Sequence, residues 1–149
     1  MVALMSRMLQ KIGFNDALRG VELPAQGSNR GYSPYQLIEQ FLVSVWCGAN
    51  RFEHIEVTRH DEAIRKIFGY NKMAGHKAFQ RYFRKFAQAD NHRVFGGLYK
   101  WFFSLLYFNN FTLDLDSTVI SRYGQQEGAK RGYNPHKPGA THIILFWHL

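Results

Sequence analysis

The stretch at residues 111–116 reads Phe-Thr-Leu-Asp-Leu-Asp, and the hydrophobic period of the chain changes there from helical to two. In an extended segment its three apolar residues share one face, while Asp114 and Asp116 share the other. The pattern predicts a β-strand that ends in a carboxylate. The chain is therefore expected to be mainly α, with an N-terminal helical domain at residues 1–108 and the first strand of a second domain within residues 109–149.

Upstream of this stretch, apolar residues recur at helical spacing and predict a bundle of helices. Ser33 suits the N-cap of a central helix, Pro34 suits its first position, and Gln36 completes a Ser-x-x-Gln capping box. This helix is expected to end at Gly48 and to bury Leu37, Ile38, Phe41, Leu42 and Val45. The other predicted helices are residues 1–13, with Met5, Met8, Leu9 and Ile12 on one face, 51–68 in two pieces broken at His60-Asp61, 77–89 and 91–107. Residues 18–32 are predicted to form a loop.

Composition favours a folded chain in a reducing compartment. Hydrophobic residues make up 46% of the 149 positions and aromatic residues 16%, which is enough for a packed core. The single cysteine, Cys47, excludes an internal disulfide and is predicted to be a buried thiol. No run approaches the roughly 18 apolar residues of a membrane span, and the N-terminus lacks the apolar core of a signal peptide. A cytoplasmic protein with no membrane partner is expected.

Positive charge is concentrated in the middle of the chain. The sequence holds 19 Lys and Arg against 11 Asp and Glu, and residues 51–100 alone hold 11 basic and 5 acidic residues. Concentrated positive charge attracts a polyanion such as DNA through release of counterions, although a solvated basic face has the same composition. The candidate DNA contacts here flank an aromatic stripe that is predicted to be core: Lys77, Arg81, Arg84 and Lys85.

An acidic pair and a glycine-rich basic segment are the candidates for chemistry. Asp114 and Asp116 carry carboxylate oxygens, which are hard ligands suited to Mg²⁺ or Mn²⁺, but a solvated strand edge explains the same spacing. Residues 123–139 alternate glycine with polar and basic side chains. Such a segment can form a hairpin against a phosphate backbone, or an ordinary surface hairpin. The candidate DNA contacts in and beside it are Arg122, Lys130, Arg131 and Lys137.

Residues 112–139, TLDLDSTVISRYGQQEGAKRGYNPHKPG, resemble the signature around the first catalytic aspartate of bacterial DDE insertion-sequence transposases. In that family an Asp-Ser-Thr or Asp-Gly-Thr motif ends the first strand of a ribonuclease-H-like fold. A Tyr-Gly-x-Gln-Glu-Gly-Ala block marks one subgroup, DDE group 1. The resemblance covers nearly the whole chain up to Gly139. Its N-terminal motifs are Tyr32-Ser33-Pro34, Gly48-Ala49-Asn50-Arg51-Phe52-Glu53, Arg59-His60-Asp61, Gln80-Arg81-Tyr82-Phe83 and Trp101-Phe102-Phe103.

The resemblance implies a ribonuclease-H-like second domain and a reaction for it. Asp116 matches the first metal-binding, catalytic carboxylate of the family, and Asp114 is a secondary acidic residue beside it. The implied reaction is cleavage and strand transfer of DNA at the ends of an insertion sequence, assisted by Mg²⁺ or Mn²⁺. The implied partners are those DNA ends and a second copy of the chain or an intact transposase.

The family's second Asp and its Glu are expected beyond Leu149, so the chain is interpreted as an N-terminal fragment of a transposase. One aspartate is not expected to hold metal ions stably, and the fragment alone is predicted to be inactive. Two alternatives stay open. The helical region can act as a DNA-binding module that interferes with intact transposase, or the chain can be a degenerate product that exposes apolar residues such as Ile143, Leu145 and Phe146.

Residues 140–149 depart from the family's usual continuation, in which Ser-His-His-Pro-Leu follows shortly after Lys-Pro-Gly. Codons for this tail can be chosen so that a reading one base out of register gives Ser-His-His-Pro-Leu-Leu-Ala. A single-base insertion or deletion near the Gly139 codon, followed by an early stop, is therefore expected. Sequencing the gene past the stop codon tests this expectation. The shifted frame should continue as a transposase, and a shifted frame without such a continuation contradicts the frameshift.

Overall fold

The described part of the chain contains seven α-helices and three short strands, so it is mainly α as predicted. The computed structural model describes residues 1–28, 30–107 and 110, and the backbone of the strands. The chain divides into two compact units, Met1–Tyr107 and Phe108–Leu149. The helices are α1 (Val2–Lys11), α2 (Phe14–Arg19), α3 (Pro34–Trp46), α4 (Ile55–Arg59), α5 (Glu62–Ile67), α6 (His76–Phe83) and α7 (Gln88–Ser104), with a 3-10 turn at Phe52–His54.

α3 lies at the centre of the first unit, as its nearly continuous apolar sequence predicts. Leu37 belongs to a core cluster shared with α4 and α6, and Val43 belongs to a second cluster with Ile64 of α5. Ile38 and Leu42 pack against a third cluster, which α1 and α2 form. One helix therefore contacts all three parts of the core.

The start of α3 follows from its capping residues. The Ser33 hydroxyl accepts a hydrogen bond from the Gln36 backbone N–H at 3.1 Å, and Pro34 takes the first helical position. The second half of the predicted capping box is wrong. The Gln36 side chain donates to the Lys72 carbonyl at 2.7 Å, because a distant loop passes close to this end of the helix.

The buried face of α3 differs from the predicted one. Val45 is 45% exposed, whereas Gln40 and Ser44 are fully buried. The Gln40 amide is hydrogen-bonded to Ala74, and the Ser44 hydroxyl is hydrogen-bonded to the Gln40 carbonyl and to the Thr58 hydroxyl. Polar groups with such partners cost little to bury. Hydrogen bonding, and not hydrophobicity alone, therefore decides which residues of α3 face inward.

The N-terminal region differs from the prediction in two places. A second helix, α2, begins at Phe14 and ends inside the predicted loop; Gly13 has φ +69°, which glycine adopts freely, and separates it from α1. On α1 the buried side chains are Ser6 and Leu9, while Met8 is 42% exposed. The buried face of α1 is shifted because the helix contacts both α2 and α5.

The helix predicted at residues 77–89 ends earlier, at Phe83. The Asp90 carboxylate accepts a hydrogen bond from the Ala87 backbone N–H at 3.0 Å. This contact caps a new helix, which begins at Gln88. The boundary between the short basic helix and the long aromatic helix therefore lies between Phe83 and Gln88, and not near residue 90 as predicted.

The ends of the shorter helices follow the sequence closely. The predicted break after α4 is confirmed, since the Asp61 carboxylate accepts hydrogen bonds from two backbone N–H groups at the start of α5. Gly69 follows α5 with φ +68°, as expected of a glycine C-cap. Cys47, by contrast, is exposed, so the prediction of a buried thiol is wrong. It lies just past the last residue of α3, where the helix reaches the surface.

Three short strands are described in the second unit: β1 (Thr118–Ser121), β2 (Lys130–Arg131) and β3 (Thr141–Leu145). β3 lies between the other two and pairs antiparallel with each of them, which gives the order β1-β3-β2. The strand predicted at residues 111–116 lies outside the described residues.

Candidate DNA-binding face

α6 has one buried side and one basic side. Lys77 and Arg81 of α6 and its C-cap residue Arg84 recur at i, i+4 and i+7. Arg84 keeps a helical backbone conformation, so the three lie along one side, and all three are exposed. Phe79 and Tyr82 are only 0% and 4% exposed. The aromatic residues therefore anchor α6, and Lys77, Arg81 and Arg84 form a surface row, which is called the basic stripe from here on.

The basic stripe has no ion-pair partner within the described part of the chain. Glu56, Glu62 and Asp90 each pair with an arginine three residues away, at 2.6–2.8 Å. These three carboxylates are thus already engaged. The charge of the stripe remains available to an anion from solution.

A cluster of aromatic rings holds α6 against α3 and the 3-10 turn. The Phe83 ring centroid lies 5.1 Å from that of Phe41 and 5.9 Å from that of Phe52. Phe86, which follows the helix, lies 5.7 Å from Phe83. Such ring pairs add stability beyond the burial of their area. The prediction that this aromatic stripe is core is confirmed.

Lys85 has a contact that the stripe residues lack. Its Nζ donates to the Ala25 carbonyl at 2.8 Å and holds the long loop between α2 and α3. The side chain is exposed, so it can still approach an anion. Within the described residues, the contact of Lys85 is nevertheless with the loop at Ala25.

The start of α6 is held by Glu56 from α4. One carboxylate oxygen of Glu56 accepts the His76 backbone N–H at 2.9 Å and lies 2.6 Å from His76 Nδ1. The other oxygen accepts from the Arg59 guanidinium at 2.8 Å. A carboxylate at a helix N-terminus satisfies an otherwise unpaired N–H and interacts favourably with the helix dipole.

These contacts stabilise the ionised form of Glu56. The hydrogen bond from Arg59 is the largest cause, followed by the two from His76, and together they lower the pKa of Glu56 to about 2. Gly75 lies tightly against the same group. A Cβ at this position would come within 2.8 Å of both the Glu56 carboxylate and the Arg59 guanidinium, so a larger residue here would displace the ends of these two side chains.

The chain as a whole matches the family described as Transposase DDE domain group 1, over residues 2–147. It belongs to this family of DDE transposases. The resemblance predicted from the sequence is confirmed, and the match continues past Gly139 into the tail. No curated protein and no solved structure matches the chain.

The remaining predicted site residues of this transposase-family chain lie in the second unit. Lys130 and Arg131 form β2, of which the backbone alone is described. Within the described residues, no group of three His, Cys, Asp or Glu side chains is placed to hold a metal ion. None of the described helices is long and apolar enough to cross a membrane. The predicted residues outside the described part are Asp114, Asp116, Arg122 and Lys137.

Two residues that hold α6 in place are not among the predicted site residues. Glu56 is 20 positions from its partner His76, and Gln40 is 34 positions from its partner Ala74. No local pattern links such distant positions. The one signal in the sequence is a glutamine within a long apolar helix, where a polar side chain needs a partner.

Glu56→Gln is expected to destabilise the protein in a pH-dependent way. The pKa of Glu56 is lowered from 4.5 to about 2 in the folded chain, so its charge stabilises the fold above pH 4.5. That contribution is lost as the pH falls from 4.5 through 2. Urea unfolding should therefore give a lower free energy of unfolding for the variant than for the wild type at neutral pH. This difference should become smaller as the pH falls from 4.5 to 2.

Glu53→Gln is the matched control for this measurement. Glu53 is exposed and has no hydrogen bond or ion pair among the described residues. Its substitution should leave stability nearly unchanged between pH 7 and pH 2. A pH-independent loss in Glu56→Gln, or an equal loss in both variants, would contradict the role given to the Glu56 charge.

Proposed function

We propose that the first unit of this DDE transposase-family chain binds DNA through the basic stripe of α6. The observation that carries the proposal is the row of three exposed, unpaired cations on a helix whose other side is buried. A helix with this arrangement can lie along a groove or a phosphate backbone, with cations directed at the DNA. Membership in a transposase family supports DNA as the polyanion.

The size of the effect follows from the physics of counterion release. Each cation that neutralises a phosphate lowers the slope of log K against log salt by about 0.9 on duplex DNA. Three stripe residues therefore account for a slope of nearly −3 by themselves. Other exposed cations can add a weaker, less localised contribution. The stripe combines exposed positive charge with a helix that is packed into the core by Phe79 and Tyr82.

Alanine substitution of the stripe tests the proposal. Lys77→Ala, Arg81→Ala and Arg84→Ala should each weaken duplex DNA binding and reduce the magnitude of the salt slope by about 1. Fluorescence anisotropy with a labelled duplex over a series of salt concentrations measures both quantities. Circular dichroism should show an unchanged fold, since the three side chains are exposed.

Lys66→Ala provides the charge-matched control. Lys66 lies on α5, is exposed and has no ion-pair partner among the described residues. Its removal changes the net charge as much as Lys77→Ala does. Equal effects of the two substitutions would mean that binding depends on overall basicity, and the assignment to α6 would be wrong.

For the second unit we propose the beginning of a ribonuclease-H-like catalytic domain, with residues 1–108 and 109–149 as the two domains. Asp116 would supply one carboxylate ligand to Mg²⁺ or Mn²⁺, with Asp114 in a secondary role. In this family the metal ion would activate the attacking oxygen and stabilise the leaving oxygen of a phosphodiester. Arg122, Lys130, Arg131 and Lys137 are proposed as further DNA contacts.

The proposed parent activity is metal-dependent cleavage and strand transfer at the ends of an insertion sequence. Residues 1–149 alone would retain DNA binding without this activity, and could compete with intact transposase for DNA or pair with it. The packed core of the first unit supports a folded binding module over a degenerate product.

Asp116→Asn separates binding from metal chemistry. The wild-type chain and this variant should bind duplex DNA equally, because the basic stripe is unchanged. Neither should cleave the element's ends with Mg²⁺ or Mn²⁺, as assayed on end-labelled DNA. Metal-dependent cleavage by the wild type that is lost in Asp116→Asn would contradict the inactivity predicted for these 149 residues.

A further inference from the structure

The segment that leads into α6 is held by side chains of α3 and its N-terminal flank. The Gln36 amide donates to the Lys72 carbonyl at 2.7 Å, and the Tyr32 hydroxyl donates to the Met73 carbonyl at 3.1 Å. Two consecutive carbonyls of an irregular segment are thus paired without a neighbouring strand. Backbone groups that would otherwise need water or secondary structure have fixed partners.

Gln40 makes two further contacts with this segment. Its side-chain amide donates to the Ala74 carbonyl at 2.8 Å and accepts from the Ala74 N–H at 2.9 Å. Both residues are fully buried. The amide therefore satisfies both backbone polar groups of one residue, and an apolar side chain in its place would leave them buried and unpaired.

The spacing of two of these donors explains how one helix can hold an irregular segment. Gln36 and Gln40 are four residues apart on α3 and so lie on one side of it, while Tyr32 precedes the N-cap residue Ser33. The next contact along the chain is the Glu56 carboxylate on His76. Lys72, Met73, Ala74 and His76 are therefore all hydrogen-bonded to side chains outside the segment, and Gly75 lies against the ends of the Glu56 and Arg59 side chains.

We infer that Gln40 is a positioning residue for the DNA-binding helix. The inference rests on the proposed function of the basic stripe. Gln40 is fully buried and does not reach DNA itself, but it fixes Ala74, the residue directly before Gly75 and α6. A segment already ordered costs no additional conformational entropy when DNA binds. Its orientation is also constant, which sequence-specific contacts require and non-specific attraction to phosphates does not.

The two kinds of binding should therefore respond differently to Gln40→Leu. This substitution keeps the side-chain size close and removes both hydrogen bonds to Ala74. The charges of the basic stripe stay in place. We expect a loss of at least tenfold in the preference for a specific duplex over a scrambled one, with non-specific affinity and its salt slope nearly unchanged.

The experiment first selects a preferred duplex from a random pool with the wild-type chain, and then measures its affinity and that of a scrambled duplex for each variant.

Hydrogen exchange of the His76–Phe83 amides without DNA gives a second readout, and it should be faster in Gln40→Leu. If the wild type binds neither duplex, the proposed function fails, and exchange alone decides the positioning role. Unchanged exchange at these amides then overturns it.

Ser44→Ala is the matched control. Ser44 is also fully buried on α3, and its hydroxyl is hydrogen-bonded to the Gln40 backbone carbonyl and to Thr58, but not to the segment before α6. The substitution should lower stability while the duplex preference is retained. Equal loss of preference in both variants, or a fall in both affinities in proportion to unfolding, overturns the inference. If Gln40→Leu does not fold, Gln36→Leu replaces it, with a smaller loss of preference expected and an unchanged preference overturning the inference.

Discussion

The pairing of the Gln40 amide with both backbone polar groups of Ala74 is the contact on which the placement of the segment before α6 depends. It joins the central helix to the segment before α6, across 34 positions of sequence, at a fully buried site. A buried amide without a partner costs on the order of 1–3 kcal/mol, so a shift of the segment along α3 that breaks this pairing is unfavourable. Glu56 fixes the next turn, and the aromatic rings around Phe83 hold the helix itself. The basic stripe is presented by a rigid support.

Charge and support are divided between different residues. The stripe cations are exposed and contribute to the proposed DNA affinity. Gln40 and Glu56 instead hold the residues that lead into α6, and so position those cations. Surface charge of this kind contributes little to folding stability, since exposed ion pairs are worth well under about 1 kcal/mol. The stripe can therefore keep its unpaired charge at little cost to the fold. Stability comes from the core clusters and the buried hydrogen bonds beneath it.

The sequence predicts the parts of this architecture that depend on local pattern. The cap at Ser33, the break at His60-Asp61 and the glycine end at Gly69 are such parts, because helix ends depend on residues within three or four positions. The spacing of the stripe also predicts its exposed side. The inward position of Gln40 and the role of Glu56 could not be predicted, because their partners are 34 and 20 positions away. Family membership follows from ordered motifs over nearly the whole chain up to Gly139, and the match over residues 2–147 confirms it.

The central claim is that α6 is the DNA-contacting element of this transposase-family chain. Titration of duplex DNA into ¹⁵N-labelled protein, followed by NMR, tests it residue by residue. The account predicts that the largest shifts or broadening fall on Lys77, Arg81, Arg84 and their neighbours on α6, and that they fade as salt is raised. Perturbations centred on α1 or α5, with α6 unchanged at saturating DNA, would contradict it.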